Sequence, residues 1–201
     1  MKGLMTFVAA AALTASFASV ATAQGMMSKD DMIKQATSAL PASMRAGAMV
    51  IAYDSKGLPQ VLRPGTGVFC TPNTGTDTFG VSCRGMALRA ASDFQAMEKA
   101  AGKDAKTITA DTDAAYASGK LTRAPVGTII YNRGGKTEAE AKSLWVVLMP
   151  NAKAEDLGLP TSRVNASSPW MMASGKPGAH IMMPQTASMD DMPPPPPPKP
   201  M

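Results

Sequence analysis

Hydrophobic and polar positions change period several times along this chain, and each change marks an element boundary. Ala48 to Tyr53 is a compact run of β-favouring residues, and Gln60 to Arg63 is a second. Between them Asp54-Ser55-Lys56-Gly57 is turn chemistry, with glycine supplying a positive φ. The two runs predict an antiparallel hairpin. Thr66 to Cys70 predicts a third strand, and the Thr-, Gly-, Asn- and Asp-rich stretch after it a loop. Ala87, Ala90, Ala91, Phe94, Met97 and Ala101 then follow the i, i+3, i+4, i+7 spacing of one helix face, and Gly102 supplies a stop. This is the principal helix, starting either near Met86 or at Ser92, where Ser-x-x-Gln can cap it. Lys103 to Thr122 is polar and predicts at most one helical turn, around Ala114 to Ala117.

Val126 to Tyr131 and Leu144 to Met149 predict two more strands. The second is apolar on both faces, which predicts a central position in the sheet. In the joining segment, Thr137 with Glu140 three residues on has the form of a capping box, predicting one or two turns of helix with Glu138 and Glu140 at its start. Ala152 to Leu157 predicts a short helical turn ending at Gly158. Trp170 to Ala173 and Ala179 to Met183 flank Ser174-Gly175-Lys176-Pro177-Gly178 and predict a second hairpin. Upstream, Ser28 caps a short helix with Asp31 three residues on, and Ile33, Ala36, Ala39 and Leu40 form its apolar stripe before Pro41. That helix either packs against the domain or acts as a loose leader.

The ends of the chain have a different character. Met1-Lys2 is followed by an apolar run to Leu13, a small-residue tract to Val20, and Ala21-Thr22-Ala23. This is the pattern of an export signal cleaved before Gln24. The apolar part is too short and too rich in Ala and Thr for a membrane anchor. From Gln185 on nothing looks foldable, and Pro193 to Pro198 predicts a disordered polyproline II tail, either a solvated terminus or a docking segment for a partner. The expected organisation is therefore a signal peptide over 1–23, a leader helix over 24–44, one domain over 45–184 and a proline-rich tail over 185–201. Hairpins around one principal helix, with only short crossovers, predict an α+β fold built mainly on an antiparallel sheet.

Charge and cysteines narrow the partners. The formal net charge is +5, but Lys and Arg are scattered and only 5% of residues are aromatic. Nucleic-acid binders cluster their charge, so nucleic acid is not an expected partner. Cys70 and Cys83 are the only cysteines. Two thiols in an exported chain predict a disulfide, and their spacing fits neither a redox dithiol nor a four-ligand zinc site.

The early hairpin, the two-Cys loop and the closing Pro169-Trp170-Met171-Met172 and Gly178-Ala179-His180-Ile181-Met182-Met183-Pro184 segments resemble a set of exported bacterial proteins of unassigned function. The resemblance spans roughly Arg45 to Pro184 and implies a shared fold, with no activity attached.

Candidate chemistry is sparse. His180 is the only histidine, and there is no Gly-x-Ser-x-Gly elbow, Walker loop or His-Glu-x-x-His helix. Gly65-Thr66-Gly67 has two glycines of a phosphate loop but lies between strands, so it reads as a bulge or turn. Methionine is abundant, at 17 residues. Thioethers suit Cu(I), and His180-x-Met182 would put an imidazole and a thioether on one face of a strand, with Met172 across the hairpin as a third ligand if the register allows. Methionine in an apolar strand is also ordinary core filler. The expectation is an exported, periplasmic or extracellular binding or scaffold domain without a cofactor, acting on an envelope or extracellular partner. The alternatives are a Cu(I)-binding protein and a small secreted enzyme with His180 as base.

Overall fold

The computed structural model describes residues 27–73 and 77–185. The expected signal peptide and the tail from residue 186 lie outside them. Within them the chain is α+β, with four helices and one eight-stranded sheet. The strands are β1 (Met49–Tyr53), β2 (Pro59–Arg63), β3 (Val68–Thr71), β4 (Phe79–Gly85), β5 (Ile129–Gly135), β6 (Lys142–Leu148), β7 (Trp170–Met172) and β8 (His180–Gln185). Their order across the sheet is β2-β1-β3-β4-β5-β6-β8-β7. Every neighbouring pair is antiparallel except β1 and β3, which run parallel.

The parallel pair arises because β2 leaves on one side of β1 and the chain returns on the other. The link passes so close to the start of β1 that a Cβ on Gly65 would overlap the Met49 nitrogen. Arg63 secures this crossing by donating to the Ala48 carbonyl and to that of Arg45. Gly65 thus serves backbone packing between strands.

Helix α1 (Lys29–Thr37) starts where Ser28 Oγ accepts from the Asp31 N–H at 3.1 Å. A second short helix, α2 (Ala42–Arg45), follows Pro41. The α1 segment is part of the core: Ala36, Ala39 and Leu40 pack with Val50, Cys70, Val81 and Cys83 on one face of the sheet. Tyr131 and Trp145 extend this layer through an edge-to-face contact at 5.2 Å. The opposite face carries α3 (Arg89–Ala100), preceded by a 3-10 turn over Met86–Leu88, and α4 (Ala105–Ala117).

Four local expectations need correction. Lys103 to Thr122 holds a 13-residue helix, α4, in place of one turn. Asp104 caps it, accepting from the Thr107 N–H at 2.7 Å, and Thr112 is buried because its hydroxyl donates to the Ile108 carbonyl. The sequence reading assigns no strand between Cys70 and the principal helix, whereas β4 runs from Phe79 to Gly85. The capping-box segment around Thr137 forms no helix. Glu140 N–H does donate to Thr137 Oγ at 3.3 Å, but the β5–β6 ladder pairs Gly134 with Lys142, and the residues between them serve as the hairpin's turn. Finally, β6 is sixth of eight strands, and β4 and β5 occupy the centre. Its apolar residues serve two different layers, Trp145 the α1 side and Leu148 the α3–α4 side.

Candidate functional site

Residues alternate along β4, so Phe79, Val81 and Cys83 face α1 while Gly80, Ser82 and Arg84 face the other layer. Arg84 reaches α3, where Nη1 donates to Ser92 Oγ at 2.8 Å, and its Nε donates to Ser82 Oγ at 3.2 Å. Burial pushes the guanidinium below its usual pKa, partly opposed by the nearby Tyr53. Among the described residues no carboxylate pairs with Arg84. Asp93, next to Ser92, is already engaged. Arg89 Nε donates to its two oxygens at 2.8 and 2.9 Å, and the Tyr53 hydroxyl donates to Oδ1 at 2.8 Å. Burial, and then that bond, raise the Tyr53 pKa well above its ordinary value.

The α3–α4 hairpin is held by Gln95 Nε2 donating to Thr112 Oγ at 3.4 Å and by Lys103 bridging Glu98 and Asp111. Between this hairpin, β4–β6 and the Pro177–Ala179 turn lies a cleft of about 350 Å³. Its walls are mainly apolar, from Leu88, Ala91, Ile130 and Leu148, with Arg84, Ser92 and Gln95 among the polar groups. Tyr116 and Arg123 also line it, the guanidinium 4.5 Å from the ring centroid. A second opening of about 490 Å³ lies between α3 and the β1–β2 hairpin, and Arg84, Ser92 and Gln95 line both. Such a lining binds and orients a ligand through directed donors against an apolar wall.

The residues singled out from sequence lie elsewhere. In the β7–β8 hairpin Met172 pairs directly with His180, and Met182 lies two residues along β8 on the same face. The carbonyl of Gly178 lies 2.8 Å from His180 Nδ1. A proton on Nδ1 makes that contact a hydrogen bond and leaves the Nε2 lone pair available. Met171 is fully buried and pairs with Ile181 on the other face, where Met183 pairs with Trp145. The cleft lining reaches Gly178 and Ala179 but does not include His180. Among the described residues, no three His, Cys, Asp or Glu side chains converge on one point. Cys70 and Cys83 are directly paired across β3 and β4, disulfide-bonded with Cα atoms 4.0 Å apart.

Arg84, Ser92, Gln95, Tyr116 and Arg123 had no place among the sequence candidates. The signal for Arg84 was the alternation Phe79, Val81, Cys83 against Gly80, Ser82, Arg84, which puts a lone arginine on a strand face opposite an apolar stripe. For the α4 residues it was Asp104 as a cap before a buried stripe that includes a threonine.

No known family matches the chain, and no curated protein or solved structure compared with it shows significant similarity.

Proposed function

We propose that this chain is an exported, non-enzymatic binding domain of the bacterial envelope or extracellular space, holding a small ligand between the α3–α4 hairpin and the sheet. The observation that carries this reading is the cleft over Arg84: an apolar enclosure with a few donors converging at its floor. The export pattern at the N-terminus and the disulfide support an oxidising compartment. Among the described residues no helix is long and apolar enough to cross a membrane. The test is amide NMR of the chain beginning at Gln24, screened against small organic acids, amines and neutral compounds. Shifts should cluster at Arg84, Ser92, Gln95, Leu148 and Gly178. Shifts confined to the β7–β8 hairpin, or none at all, would discard the cleft.

The hairpin register favours a second reading. His180 with Met172 opposite and Met182 on the same face is a ligand set of the right softness for Cu(I). A Cu(I) competition titration should find about one ion per chain on this reading. His180→Ala should lose affinity and Met183→Ala should keep it. Binding indifferent to His180 would return these methionines to a packing role.

A further inference from the structure

We infer that the cleft ligand is a small carboxylate with an apolar body, its carboxylate held by the Arg84 guanidinium and its body lying against Leu88, Ala91, Ile130 and Leu148. This rests on the reading of the cleft as a binding site and adds the ligand's chemistry. A guanidinium has five N–H donors. Ser82 and Ser92, both neutral acceptors, take one each, so three remain, including both on Nη2. The free donors on Nη1 and Nη2 can meet a carboxylate oxygen, and a paired contact to both oxygens is the geometry that a guanidinium favours.

Charge points the same way. Arg84 is half-buried between the sheet and α3, where a folded chain ordinarily sets an acid beside a cation. Here the neighbouring acid, Asp93, is committed to Arg89 and Tyr53. Asp113 lines the cleft but forms no ion pair with Arg84. Arg123, exposed over Tyr116, adds a second positive group on the same cleft. A ligand carboxylate would supply the counter-charge that no ion pair gives Arg84 among the described residues.

Size and wall chemistry set the rest. At the roughly 30 Å³ that one water occupies in the liquid, the cleft has room for about twelve non-hydrogen atoms. One guanidinium and apolar walls suit a monoanion with a hydrocarbon body, and the apolar walls offer nothing to a bare phosphate.

The experiment titrates the chain beginning at Gln24 with octanoate, octanol and inorganic phosphate, by calorimetry and by amide shifts of the cleft residues. Octanoate should bind at least tenfold more tightly than octanol, and phosphate should not saturate the site. Arg84→Met should weaken octanoate at least tenfold in a chain that still unfolds cooperatively. Arg84→Lys, which keeps the charge and loses the fork, should fall between. Equal binding of octanoate and octanol with shifts in the cleft would overturn the carboxylate assignment and leave the cleft standing. The same holds if phosphate alone saturates the site. If neither organic compound shifts a cleft residue, the cleft reading itself falls. An Arg84→Met chain that does not fold would show the arginine to be structural and end the proposal.

Discussion

Gly57, in the turn between β1 and β2, lies directly against the end of α3: a Cβ built on it would overlap the Ala96 carbonyl and come within 2.6 Å of the Met97 nitrogen. Its φ is +74°, so the position demands glycine twice over, for backbone conformation and for space. Gly57→Ala should therefore destabilise the chain by about 2 kcal/mol or more, read as a lowered urea midpoint. An unchanged midpoint would mean that the hairpin and α3 are not packed in this way.

Leu40 tests whether the segment before β1 belongs to the core. It is 2% exposed and packs beside Ala36 and Ala39 over the sheet. Leu40→Ala should cost about 3 kcal/mol. A loss under about 0.5 kcal/mol, the scale of surface substitutions, would make α1 a loosely attached leader.

The disulfide joins positions 13 apart in sequence. By the chain-entropy estimate for a loop of that size, the double variant Cys70→Ala, Cys83→Ala should be less stable by about 3 kcal/mol. Equilibrium unfolding of oxidised wild type beside the double variant measures it.

Acid should act through caps and turns. The Asp54 carboxylate is held below its ordinary 3.8, chiefly by the Leu58 N–H and also by that of Lys56, each donating at 2.9 Å. Asp104 is lowered mainly by the Thr107 N–H at the start of α4. A pKa depressed by folding contributes stability that is complete above the unfolded value and is lost as pH falls through the folded one. The melting-temperature gap between wild type and Asp54→Ala should thus be full near neutral pH and narrow below about pH 4. The same course is expected for Asp104→Ala. A gap that widens on acidification would contradict the assignment.

Both hairpins, the Ser28 cap and the stop at Gly102 were readable because each depends on residues a few positions apart. What escaped depended on partners distant in sequence. A threonine at 112 looks wrong for a buried helix face until its hydroxyl is seen bonded to Ile108 within α4 and to Gln95 on α3. Thr137 and Glu140 form the expected local contact, yet the strands on either side decide that no helix follows. The alternation along β4 marks Arg84 as a lone arginine opposite an apolar stripe, but its surroundings were not legible, because Ser92 and the cleft walls come from other elements. Strand period alone puts His180 and Met182 on one face, whereas Met172 depends on the hairpin register, which pairs it with His180.

The position of the disulfide beneath α1 gives the bond a further use. Cys70 and Cys83 are both 0% exposed, and the Ala36 carbonyl lies 3.3 Å from Cys83 Sγ, so the N-terminal helix roofs the sulfurs. A reductant must wait for that helix to lift. The rate at which an external thiol consumes the bond in native buffer therefore clocks the helix's excursions from the sheet.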